Sequence, residues 1–197
     1  MPPFARSSRS SGKPSGFSTQ SGQLRLELPQ GARVDLEAAR DAMHRAEAAL
    51  AQGEWARAWS ASQVALMTAQ RGFLPAEEAP WIEDVRRWLE ELRVRALETY
   101  TVASLGLGST ELASAERAAR ELIRLAPYRE SGYRHLMAAL AKAGNRAEAL
   151  RVYEGLRKLL KEELGISPSA ETQELHGKTL RADPARPSVD RSVGSGA

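Results

Sequence analysis

Few residues in this chain are placed for chemistry. There is no cysteine, which removes disulfides, thiolate nucleophiles and cysteine–zinc sites together. The three histidines, His44, His135 and His176, fall on three different predicted helices. No His-x-x-x-His or paired-carboxylate spacing joins them into a metal site, so they read as surface or helix-packing residues. Gly106-Leu107-Gly108 lacks the preceding strand and the Lys-Ser/Thr of a phosphate-cradling loop, and reads as a helix stop. Glu77, Glu78, Glu162 and Glu163 read as solvated faces or caps, and Glu130 as an acid that favours the dipole at a helix start. The expectation is a protein with no catalytic residue, no metal and no cofactor, hence not an enzyme.

Side chains suited to binding are better represented. Trp55 and Trp59 lie one turn apart on a predicted second helix, and Trp81 and Trp88 lie near one stripe of a third. Packing between adjacent helices is the plain reading, and an aromatic groove or dimer surface is the sharper one, since tryptophan anchors interfaces. Arg124, Arg129 and Arg134 are candidates to line the concave side of a helical stack, where guanidinium groups suit a peptide carboxylate. A solvated face is the plain reading of these arginines.

The elements that position these groups are helices. At 197 residues, 42% hydrophobic and 27% charged, the chain fits one soluble domain with tails. No apolar run approaches the ~20 residues that span a bilayer, and the N-terminus has no apolar core of a secretory signal. The expected location is cytoplasmic, with no membrane contact. The formal charge is +3, but residues 1–22 carry Arg6, Arg9 and Lys13 with no acid, so the body is close to neutral. A DNA-reading domain usually shows a clustered basic face, and direct sequence-specific DNA binding is therefore doubtful.

Residues 1–22 are Ser/Gly-rich and are expected to be a disordered tail, as are residues 182–197. Residues 23–34 read as an extended arm. Leu24, Leu26 and Leu28 alternate with polar residues, and Pro29 and Gly31 then turn the chain. This strand either lacks a neighbour or packs loosely on the helices. From residue 35 to 181 apolar residues recur at helical spacing, beginning with Leu36, Ala39, Met43, Ala46 and Leu50 behind Asp35 as N-cap. Further helices are expected at 55–69, from Pro80 to about 105, up to Pro127, around Leu136 and Met137, from about 146 to Leu164, and after Ser167 or Ser169. Leu175 and Leu180 are expected to face inward on the last. Gly53 and Gly144 each sit between two amphipathic helices and are followed at +5 by an alanine, Ala58 and Ala149. Short turns between helix pairs predict an all-α, tetratricopeptide-like stack of about seven antiparallel helices with flexible tails.

The residue order is more specific than the periodicity. Pro127, Glu130, Leu136 and Met137 precede a glycine turn at Gly144. Glu148-Ala149-Leu150 with Tyr153 follows, then Leu164-Gly165 with Pro168. This order resembles the bacterial transcriptional activator domain, the helical-repeat domain of antibiotic-regulatory-type activators. Trp81 and Glu90-Glu91-Leu92-Arg93 are similar to positions on that family's third helix. Residues 24–37 resemble its junction with a DNA-binding domain, where the Leu-Arg-Leu segment is the last strand of a winged-helix hairpin. The family places a winged helix-turn-helix domain before this junction. Here low-complexity sequence stands there, so the strand reads as the remnant of an absent hairpin.

The resemblance implies regulation of transcription through protein contacts. The partner would be a protein, either a second copy of the chain or a full-length regulator. A generic helical-repeat scaffold unrelated to transcription is the alternative, and a helical sensor of small molecules a third.

Overall fold

The computed structural model describes residues 16–20, 23–27 and 35–181. Two strands, β1 (Gly16–Gln20) and β2 (Gln23–Glu27), precede seven helices. These are α1 (Asp35–Ala51), α2 (Trp55–Ala69), α3 (Pro80–Leu107), α4 (Leu112–Leu125), α5 (Glu130–Lys142), α6 (Arg146–Leu164) and α7 (Ala170–Arg181), with one 3-10 turn at Ser109–Glu111. Residues 1–15 and 182–197, where tails were expected, lie outside the described residues.

The arm needs correction. Gln23–Glu27 is not a lone strand: it pairs antiparallel with Gly16–Gln20, in a segment whose sequence reads as tail. The register sets Phe17 opposite Leu26 and Thr19 opposite Leu24. The composition misled because β1, GFSTQ, contains a single large apolar residue. A strand's pairing partner leaves no periodic trace in so short a segment.

The helices pack in sequence order, each against the next. Contacts also join α1 to α3, α3 to α5 and α5 to α7. The odd-numbered helices therefore form one layer and α2, α4 and α6 the other. Alanine makes the close crossings possible: Ala39, Ala42, Ala46, Ala58, Ala65, Ala96, Ala103, Ala115, Ala119 and Ala149 are all buried. Larger side chains fill the space between the crossings. One core cluster joins Met43, Leu66, Leu89, Leu92, Leu97 and Leu122 across α1 to α4. A second joins Ala119, Leu136, Met137, Leu140, Ala149 and Tyr153 across α4 to α6, with Leu175 of α7 against it. Since α4 contributes to both, the two are continuous in the fold.

The family-like motif residues serve this packing. Pro127 follows the end of α4, and its carbonyl accepts a hydrogen bond from the Tyr133 hydroxyl at 3.0 Å. Gly144 adopts φ +83° and lets α5 turn into α6. Gly165 ends α6 at φ +70°. Around it the Ile166 N–H reaches the Leu160 carbonyl and the Gly165 N–H reaches Lys161, both at 3.2 Å; the second is the bond of an αL stop. Pro168 is buried, while Leu164 is half exposed. Leu180, expected to face inward, is 48% exposed, since among the described residues α7 is the last helix and none packs over it.

Candidate protein-binding face

The odd-helix layer carries a ladder of polar links that steps from α1 to α7. At its start the Arg40 guanidinium lies over the Trp88 ring, 5.5 Å from the centroid. Next, Arg95 of α3 donates to Glu47 of α1 through Nε at 3.1 Å and Nη2 at 2.6 Å. One turn further along α3, Glu98 accepts two bonds from Arg129, at 2.8 and 2.9 Å, and one from the Ser131 hydroxyl. On α5, Arg134 reaches Glu171 at 3.0 Å and the Thr172 hydroxyl at 3.2 Å. Glu130 closes the row: it accepts the Ser169 N–H at 3.0 Å and the Ser169 hydroxyl at 2.8 Å. Ser169 sits just before α7, and its own carbonyl accepts the Gln173 N–H.

Exposed ion pairs contribute little stability, about 0–1 kcal/mol each. They follow the register that the packed alanine crossings set between successive odd helices, and they cover the layer with paired charge. Two ionisable groups in this row are shifted. Burial pushes His135 below its ordinary 6.5, opposed by Glu98, reinforced by Arg134 and opposed again by Glu171. For Glu130 burial acts to raise the pKa, but hydrogen bonds from Thr172 and Ser169 and the Arg134 charge outweigh it and hold the carboxyl below 4.5.

The arginine candidates separate. Arg129 and Arg134 belong to the ladder and already hold carboxylates, whereas Arg124 lies exposed on the last turn of α4, in the other layer. The structure does not bring the three together into a carboxylate-binding groove. The tryptophans separate too. Trp59 stacks on Tyr100 at 5.8 Å and belongs to a small core with Ala49, Ala58 and Ala103. Trp55, 38% exposed, lies against the backbone of Gly106 so closely that a Cβ there would meet its ring at 2.4 Å. Trp88 packs on the first core cluster. Trp81 is 57% exposed and meets Phe73 edge-on at 6.0 Å. They form no common groove: Trp55 and Trp59 lie near the Gly106 end of α3, Trp81 and Trp88 near its start.

Sequence reasoning did not find Glu47, Arg95, Glu98, Ser131 or Ser169 as linking residues. Their partners are 31 to 48 positions away, and no local spacing signals such pairs. His176, read as a surface or helix-packing residue, stacks on Tyr153 at 3.8 Å with an interplanar angle of 6° and ties α7 to α6. Two adjoining open clefts of about 410 and 400 Å³, sharing Gln70, lie between α3 and its neighbours α2 and α4. Among the described residues no helix is long and apolar enough to cross a membrane.

This architecture has solved and curated counterparts. Mycobacterium tuberculosis EmbR, in a structure with a low-affinity phosphopeptide, superposes with a TM-score of 0.69 at 22% identity, covering 85% of this chain and 45% of that one. At that identity the likeness concerns the fold. The regulatory protein AfsR of Streptomyces griseus is 36% identical over 165 residues, which is 84% of this chain and 17% of AfsR. The regulatory protein DnrI of Streptomyces peucetius is 38% identical over 104 residues, 53% of this chain and 36% of DnrI. The chain thus spans well under half the length of these relatives. The model of the bacterial transcriptional activator domain matches residues 34–180, nearly the whole of α1 to α7, and the chain belongs to that family.

Proposed function

We propose that this chain is a protein-interaction module of transcription regulation, acting in the cytoplasm by binding and without chemistry. The observation that carries the reading is the odd-helix face of a domain whose relatives are regulatory proteins. Stacked helix pairs offer extended surfaces to partner helices or domains. Here the face carries a row of paired charge from Glu47 and Arg95 to Arg134 and Glu171, with Trp88 under Arg40 at its start. A second copy of the chain or a full-length regulator is the partner that the reading expects. The described body gives no support to a DNA-reading role: Arg95, Arg129 and Arg134 on this face are spent on carboxylates rather than presented as a basic stripe.

A mobility-shift assay on the full chain at low and physiological salt separates the two modes. The expected result is weak, sequence-independent retardation that disappears at the higher salt. Tight, sequence-dependent retardation at both salts overturns the reading. Affinity purification of the tagged chain is expected to recover transcription components, and clean recovery of an unrelated complex in their place also overturns it.

A further inference from the structure

The start of α3 presents an apolar surface that the helical stack leaves open. Trp81, Val85 and Trp88 fall at i, i+4 and i+7 along one stripe. Trp81 is 57% exposed, and beside it Leu74 is 42% exposed and Phe73 partly so. Trp88 reaches across to α1, under Arg40. The patch therefore lies beside the first turns of α1, where the chain enters the stack.

We propose that this patch is the docking surface for the chain's own β-hairpin, Gly16–Glu27. Three observations converge on that occupant. The first is reach: seven residues, 28–34, connect Glu27 to Asp35. Seven extended residues span at most about 24 Å. Arg40, five residues after Asp35 on α1, already lies over Trp88, and the stripe from Trp81 to Trp88 is about 10 Å long at helical rise, so the tether reaches it.

The second is pattern. In the observed register the apolar Phe17–Leu26 pair and the Thr19–Leu24 pair occupy one set of alternate positions. Gly16–Glu27, Ser18–Arg25 and Gln20–Gln23 occupy the other. Alternate positions of a strand pair share a face, so the hairpin has one largely apolar side and one polar side. A two-stranded hairpin is marginal alone and gains stability by laying such a side on a helix.

The third is charge. The loop before α3 exposes the carboxylates of Glu77 and Glu78, while Glu83 and Asp84 in the first turns of α3 are already paired with Arg86 and Arg87. The segment ahead of the hairpin carries Arg6, Arg9 and Lys13 and no acid. Docking the hairpin on the Trp81 stripe brings opposite charges to the same end of the stack.

The docked hairpin sets the direction in which whatever precedes it leaves the stack. It also removes an aromatic patch from competition for other partners. Residue-resolved oxidative footprinting of the full chain tests this. With the patch open, Trp81 is the more exposed of Trp81 and Trp55, at 57% against 38%, and oxidises faster. With the hairpin docked the order reverses and Trp81 oxidises more slowly than Trp55. The variant Phe17→Asp/Leu26→Asp, in the full chain, restores the original order. Supporting results are the reversal in the wild type, its independence of protein concentration, and its loss in the variant. Trp81 oxidising faster than Trp55 in the wild type overturns the proposal. So does protection that grows with concentration, which assigns the patch to a second copy, and so does protection that survives in the variant.

Discussion

Replacing Glu130 by alanine isolates the attachment of the last helix to the stack. The carboxylate receives two donors from the residue that opens α7, the Ser169 N–H and the Ser169 hydroxyl. It is partly exposed, so the ~1.5–3 kcal/mol typical of a hydrogen bond to a charged group must be discounted for solvent. About 1 kcal/mol per donor is reasonable, or about 2 kcal/mol for the pair. That is about a 30-fold change in the equilibrium between docked and undocked α7. Other attachments of α7, among them the Tyr153–His176 stack, Arg134–Glu171, Arg146 to the Leu180 carbonyl and the Leu175 contact, remain. The loss is therefore local. Native-state hydrogen exchange reads it: amides of α7 are expected to lose about 30-fold protection while those of α1 to α4 are unchanged. Ser169→Ala removes the hydroxyl donor alone and is expected to cost about 1 kcal/mol, or about fivefold. Unchanged α7 protection in Glu130→Ala would refute the role given to this carboxylate. Equal loss across all helices would refute the claim that α7 is a separately attached cap.

Four further outcomes follow from the same geometry. Leu156→Ala removes a fully buried side chain of α6 that packs beside Tyr133 and Leu160; about 3 kcal/mol of stability and roughly 10 °C in the thermal midpoint should be lost by circular dichroism. Gly106→Ala drives the Trp55 ring from its seat on the α3 backbone, so its emission should shift to the red, and an unshifted spectrum would show that the ring does not rest there. Acid should destabilise in two stages. His135, lowered by burial, takes up a proton more readily unfolded than folded, so its contribution is full above about 6.5 and falls as the pH drops toward its folded value. Glu130, lowered by its donors, contributes above about 4.5 and loses that contribution as the pH falls through its folded value. Denaturant titrations across pH should show both stages, and His135→Gln should abolish the upper one only. Finally, Glu98→Gln weakens the clamp on Arg129 and Ser131 and should cost about 1 kcal/mol, read as a smaller midpoint in urea.

Helix positions were legible in this sequence because amphipathic spacing, proline starts and glycine stops are local signals. Pro80 opens α3, Pro127 follows α4, and Gly165 ends α6 in the left-handed conformation that the pattern requires. The pairing of helices into a stack was legible through Gly53 and Gly144, whose short turns make neighbours antiparallel. The hairpin was not, since Gly16–Gln20 has little apolar content and its partner is specified only by pairing. The ion-pair ladder was not either. Glu47 with Arg95 and Glu130 with Ser169 meet only because odd helices align, and alignment is a property of the packed alanine crossings. The tryptophans were visible as binding-type residues, but their division into half-buried Trp59, a backbone-seated Trp55 and the open Trp81 depends on which helix faces which.

Site-specific photo-crosslinking in the native cell addresses the central claim most directly. A photoreactive residue at Glu91, exposed on α3 between Trp88 and Arg95 of the odd-helix face, is compared with one at Arg151, exposed on α6 of the other layer. The expected result is an adduct formed from position 91 and absent from position 151, containing a transcription-regulatory protein or a second copy of this chain. Adducts from both positions alike, or adducts from position 91 with proteins unconnected to transcription, would contradict the assignment of that face to regulatory protein contact.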